Sequence, residues 1–147
     1  MKQGFIVVVE DNPDDAILIK RILKQHKLAN EIVVLRDGVE AVDYLFGIGA
    51  YAGRDIMALP ELVLLDLQLP RLNGLDVLKR MREVPRTKSV PVIVLTVSKE
   101  EGDRIASYNL GANSYMTKPV DFTKFAESIR QLRVSWILLN DSKGLDR

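Results

Sequence analysis

The chain has 147 residues, 47% of them hydrophobic and 28% charged, with a formal net charge of +1 and no cysteine. That length suits one domain with a full core. The near-neutral charge excludes a global basic field for nucleic acid or an anionic membrane, and the missing cysteines exclude disulfides and thiolate metal sites and fit a reducing compartment. The start "MKQGFIVVVED" is too short in its apolar run for a signal peptide, and no stretch approaches a transmembrane span. A soluble, cytoplasmic protein is expected.

Taken in chain order, five short apolar runs alternate with helical segments. Phe5–Val9 is apolar throughout, and "PDDAILIKRILKQHKL" follows it at helical spacing. Asn12 is placed to cap that helix, with Pro13 at its first position and Asp14 and Asp15 beside the positive end of the helix dipole. His26, inside "KQHK", reads as a solvated residue without a catalytic part. Ile32–Leu35 precedes "GVEAVDYLFG", and "GIGAYAGRDIMALP" from Gly47 to Pro60 is the longest irregular connection, expected as a surface loop. Leu62–Leu65 precedes "LDVLKRMREV", Val92–Leu95 precedes "KEEGDRIASYNLG", and Gly111 is placed to end that fourth helix. Ser114–Met116 is the weakest strand signal and leads to "FTKFAESIRQLRVSWILL".

Five strand–helix alternations predict βαβ units, a parallel sheet and helices on both faces, hence an α/β fold. Phe5–Val9 and Leu62–Leu65 have the unbroken apolar character of central parallel strands. On the last helix, Phe125, Ile129, Leu132 and Trp136 form one stripe that should face the sheet. Val134, Ile137, Leu138 and Leu139 add apolar surface beyond that stripe, which suggests either a tuck against the domain's own loop or a self-association surface. The domain is expected over residues 1–140, with a polar tail at 141–147.

Ligands of open parallel sheets bind beyond the carboxyl ends of the strands. Those ends carry Glu10 and Asp11, then Asp66, then Thr96, then Thr117-Lys118-Pro119. Three carboxylates brought together repel unless a cation sits among them, and all-oxygen donors favour a hard ion such as Mg2+. An Asp between such an ion and a Lys can act as a nucleophile toward phosphorus, with the Lys and the Thr hydroxyl holding the phosphoryl oxygens.

The fragments "VVEDNPDD", "LVLLDLQLPRLNGLDVL", "PVIVLTVS" and "GANSYMTKPV", in this order and spacing, resemble the response-regulator receiver domain of two-component signalling. The resemblance runs from Phe5 to about Leu139 and implies a doubly wound, flavodoxin-like five-stranded sheet of order 2-1-3-4-5. It implies that Asp66 is the phosphoacceptor, that Glu10, Asp11, Asp66 and the Gln68 carbonyl bind Mg2+, that Thr96 and Lys118 hold the phosphoryl group, and that Tyr115 is the switch aromatic. Pro119 stands where the family often has a cis bond. Two residues depart from the family pattern. Asn73 replaces a frequent Asp, and Val97 replaces a usual small residue, where it could narrow access to Asp66.

The implied partners are a histidine kinase and a downstream protein target or phosphotransfer protein, with neither nucleic acid nor membrane. The segment after Phe46 and the "VSWILL" ending also resemble single-domain regulators that partner bacterial phytochrome-type kinases, some of which dimerise through this region. No room is expected for a DNA-binding output domain after Leu139. A phosphatase with an Asp nucleophile is disfavoured because Gln68 stands where that class carries its general acid, so the protein is expected to catalyse only its own phosphorylation and dephosphorylation. A receiver-like module that is never phosphorylated would not need the complete acid set together with Thr96 and Lys118.

Overall fold

The computed structural model describes residues 4–25 and 31–132. Five strands, β1 (Phe5–Val9), β2 (Glu31–Leu35), β3 (Leu62–Leu65), β4 (Val92–Thr96) and β5 (Ser114–Thr117), alternate with five helices. These are α1 (Pro13–Gln25), α2 (Gly38–Phe46), α3 (Gly74–Glu83), α4 (Glu101–Asn109) and α5 (Phe122–Leu132). The sheet order is β2-β1-β3-β4-β5 with every pairing parallel, the doubly wound order expected from the sequence. His26 and the apolar ending Val134, Trp136, Ile137, Leu138 and Leu139 lie outside the described residues.

Strand periodicity divides the core in two. Val7 and Val9 point to one face, where they pack with Ala41, Val42 and Leu45 of α2 and Val77, Leu78 and Met81 of α3. Ile6 and Val8 point to the other, against Ile19, Ile22 and Leu23 of α1 and Phe125 and Ile129 of α5. Every residue of β1, β3 and β4 is buried, which is why these runs are apolar without alternation. Leu132 packs at the margin of the α5 face.

Helix ends follow local chemistry. Asn12 Oδ1 accepts from the Asp14 and Asp15 amides at 2.9 and 3.1 Å, and Asn73 Oδ1 caps α3 by accepting from the Asp76 amide at 3.0 Å. The cap at Asn73 needs a short side-chain oxygen, which Asn and Asp both supply. Gly111, at φ 101°, ends α4 in a conformation that strains other residues.

The Gly47–Pro60 connection differs from a bare surface loop. It contains a 3-10 turn at Gly49–Tyr51. Tyr51 donates its hydroxyl to Glu40 Oε2 at 2.8 Å, and its ring meets the edge of Tyr44 at 5.1 Å. The Arg54 guanidinium lies 3.9 Å over the Tyr44 ring. The hydrogen bond to the Glu40 carboxylate pushes the Tyr51 phenol up to about 12. A glycine-rich stretch is therefore pinned by side chains that its composition does not advertise.

Gly74 sets the turn that follows β3. A Cβ there would sit 2.2 Å from the Asp66 carbonyl oxygen and 2.7 Å from the Leu67 Cα. Both neighbours are backbone and cannot step aside cheaply. Gly74→Ala is expected to cost about 1–3 kcal/mol by overpacking, read as a lower urea midpoint with an unchanged slope.

Candidate functional site

The sheet delivers its polar residues by extending its hydrogen-bond ladder past the strands. The Glu10 amide donates to the Leu35 carbonyl at 2.8 Å, the Asp66 amide to the Val9 carbonyl at 3.1 Å, and the Lys118 amide to the Thr96 carbonyl at 2.8 Å. Glu10 and Asp66 thus leave adjacent strands β1 and β3, where the strand order reverses and a crevice opens.

Glu10 and Asp66 are 1% and 6% exposed, while Asp11 is exposed. One carboxylate oxygen from each of Glu10, Asp11 and Asp66 lies within 4.8 Å of the others. Lys118 Nζ enters this group at 2.5 Å from Glu10 Oε1 and 3.0 Å from Asp66 Oδ2. A third carboxylate, Asp15 Oδ2, stands 2.9 Å from the same ammonium. The Lys118 side chain is only 7% exposed. Gln68 meets the site through its backbone, its amide donating to Asp66 Oδ1 at 3.0 Å. The Lys118-Pro119 bond is cis.

The electrostatics are strained by burial. Desolvation pushes Glu10 up to about 7; the hydrogen-bonding pull of Lys118 opposes this and the charge of Asp66 adds to it. Burial alone would lower the Lys118 ammonium, but its bonds to Glu10, Asp15 and Asp66 outweigh that and raise it. Three carboxylates grouped this closely, two of them buried, form an all-oxygen donor set that fits a hard divalent cation.

Thr96 is fully buried one strand over, and its hydroxyl oxygen accepts from the Ser98 amide at 3.3 Å. Tyr115, half-buried on β5, donates its hydroxyl to the Ser98 carbonyl at 3.0 Å. Val97, between these contacts, is 54% exposed. The structure brings Glu10, Asp11, Asp66, Gln68 and Lys118 together, and joins Thr96 to Tyr115 through Ser98.

Two further residues join the site. The sequence places Asp15 with Asp14 beside the helix dipole, yet Asp14 is exposed and Asp15 turns inward to Lys118. No local pattern separates the two acids, because the contact that distinguishes them joins residues 103 positions apart. Ser98 carried no signal at all. Besides meeting Thr96 and Tyr115, its hydroxyl donates to Asp103 Oδ2 at 2.6 Å.

A parallel sheet of this order with an acid-lined crevice at its switch point defines a doubly wound α/β protein whose crevice suits a divalent cation. The chain belongs to the response regulator receiver domain family, whose model matches residues 6–130. It is 36% identical over 132 residues to the response regulator Rcp1 of Synechocystis, covering 90% of this chain and 88% of that one. The solved bacteriophytochrome response regulator RtBRR is 42% identical, with a TM-score of 0.83 over 92% of this chain and 81% of that one. The phosphorylated form of the cyanobacterial phytochrome response regulator RcpA is 36% identical, with a TM-score of 0.76 over 92% and 95% of the two chains. A Mn(2+)-bound structure of Rcp1 covers 91% of this chain and 94% of that one, at 36% identity and a TM-score of 0.75.

Removing the shared ammonium tests the balance of charge. Lys118→Met is expected to destabilise the cation-free protein by about 3 kcal/mol, the scale for breaking a buried ion pair. Millimolar Mg2+ should restore part of that loss in urea unfolding, because a second cation replaces the first.

Proposed function

We propose that this chain is a phosphoacceptor switch, taking a phosphoryl group from a histidine kinase onto Asp66. The carrying observation is the buried Lys118–Asp66 contact of 3.0 Å, set among carboxylates that approach within 4.8 Å. Glu10, Asp11, Asp66 and the Gln68 carbonyl would hold Mg2+, which supplies charge neutralisation for the carboxylate and the incoming phosphoryl oxygens. The donor sets of this chain and the Mn(2+)-bound form of Rcp1 both favour such an ion.

The chain's own groups do the rest. One Asp66 carboxylate oxygen attacks the phosphorus of a phosphohistidine. The O–P bond forms, the P–N bond breaks, and the imidazole leaves with the electron pair. Lys118 turns from Asp66 to a phosphoryl oxygen, and the Thr96 hydroxyl donates to another. Drawing Thr96 inward releases the Ser98 amide, and Tyr115, bonded to the same residue, follows. The surface formed by α4 and β5 then changes and a protein partner reads it.

The relatives RtBRR and RcpA carry phytochrome in their names, which favours a phytochrome-type kinase as donor. Self-association through the last helix is part of the same reading. In its described portion Phe125 and Ile129 already face the sheet, while Phe122 is 46% exposed. No helix among the described residues is long and apolar enough to cross a membrane, and we place the chain in the cytoplasm. Gln68 in the position of a general acid disfavours a phosphatase, and the full acid, Thr and Lys set disfavours an unphosphorylated interaction module.

Incubation with acetyl phosphate and Mg2+ should add one phosphoryl group to the intact mass, as a base-labile adduct on Asp66. Asp66→Asn should gain none, and chelation should abolish the reaction. A parent protein that stays unmodified would favour the interaction module, and steady turnover of an unrelated phosphomonoester the phosphatase. Val97→Ala should speed both formation and loss of the adduct, as expected if a β-branched side chain narrows access. Unchanged rates would remove Val97 from that role.

A further inference from the structure

Lys118 has three N–H donors, and three carboxylates stand around them: Glu10 at 2.5 Å, Asp15 at 2.9 Å and Asp66 at 3.0 Å. Two of these acids belong to the group that can hold a cation. Asp15 does not, since that group consists of Glu10, Asp11 and Asp66. The ammonium and a divalent cation therefore compete for the same two buried carboxylates. Asp15 offers the ammonium a place outside that competition. Its side chain is 35% exposed, at the rim of the crevice on the first turn of α1.

We infer that Asp15 is a positioning residue that draws the Lys118 ammonium partly off Glu10 and Asp66, leaving those carboxylates available to Mg2+. The inference rests on the reading of Glu10, Asp11 and Asp66 as cation ligands. Without Asp15, the full charge of Lys118 falls on Glu10 and Asp66 and the ammonium becomes a stronger rival of the cation. Asp15 also remains an anchor for Lys118 when the ammonium leaves Asp66 for a phosphoryl oxygen. Asp14, next in the chain, is the natural control: it carries the same charge, is exposed, and makes no ion pair among the described residues.

The test is calorimetric titration of the full chain with MgCl2, with circular dichroism confirming the fold of each variant. Asp15→Asn should weaken Mg2+ binding roughly fivefold, the upper end of what a partly exposed ion pair contributes. Asp14→Asn should weaken it by less than about twofold, as for a screened surface charge. Asp15→Glu should recover part of the loss. In a Lys118→Met background, Asp15→Asn should do no more than Asp14→Asn, because the effect travels through Lys118. Equal effects of Asp15→Asn and Asp14→Asn in the native background overturn the inference, and so does an undiminished Asp15→Asn effect without Lys118. Should Lys118→Met fail to fold, the comparison of the two Asp variants decides alone. If the parent binds Mg2+ normally while the two variants match, only the role of Asp15 falls. If the parent binds no Mg2+, the cation site of the proposed function falls as well.

Discussion

One ammonium is shared among three carboxylates, two of them buried, and the rest of the site depends on that imbalance. Lys118 contacts Glu10, Asp15 and Asp66, with Asp11 close by. Four acids around one cation, with Glu10 and Asp66 shielded from water, is an unfavourable arrangement. It persists because the sheet enforces it. Glu10 and Asp66 are fixed by backbone bonds that continue the strand ladder, so their charges cannot drift apart to relieve their repulsion. Burial first, and the neighbouring Asp66 charge second, push Glu10 up to about 7 against the opposing pull of Lys118. A site held in this condition would gain from a second cation placed among its carboxylates.

The fold makes that enforcement affordable through its central strands. β1, β3 and β4 are wholly buried, and their alternating side chains tie both layers of helices into one body. Gly74 brings the chain back so close that a Cβ on it would lie 2.2 Å from the Asp66 carbonyl oxygen. The loop bearing Asp66 is thus packed as closely as the core it leaves. Placing reactive groups at the ends of rigid strands, with adaptable loops around them, lets charge strain be stored without softening the domain.

Much of this was legible in the sequence because it follows local rules. Unbroken apolar runs located β1 and β3 to the residue, and strand ends located Glu10, Asp11, Asp66, Thr96 and Lys118. Asn12, Pro13 and Gly111 announced their helix termini through well-understood backbone chemistry. What escaped depends on contacts between distant segments. Asp15 meets Lys118 across 103 positions, and nothing in the run "NPDD" tells which of two adjacent acids turns inward. The Gly47–Pro60 connection looked irregular because its order comes from Tyr51 reaching Glu40 and Arg54 covering Tyr44. Ser98 is a small polar residue in a loop, and its importance lies in three partners scattered along the chain.

Those partners bear on how a change at the crevice reaches the surface. α4 buries only Ser107 and leaves Ile105 and Tyr108 exposed. Polar contacts do much of the work of holding it: Ser98 to Asp103, and the Ser107 hydroxyl to the Asp103 carbonyl at 2.8 Å. Such an element is drawn from the low-stability end of a fold. Moving it forfeits little apolar burial, whereas moving α1 or α5 would expose Leu23 or Phe125. The Ser98 amide and carbonyl meet Thr96 and Tyr115 while its hydroxyl meets α4. A displacement of Thr96 would therefore act on a helix that moves more cheaply than α1 or α5. Rigid strands at the chemistry and a lightly anchored helix beside them are complementary requirements of a switch.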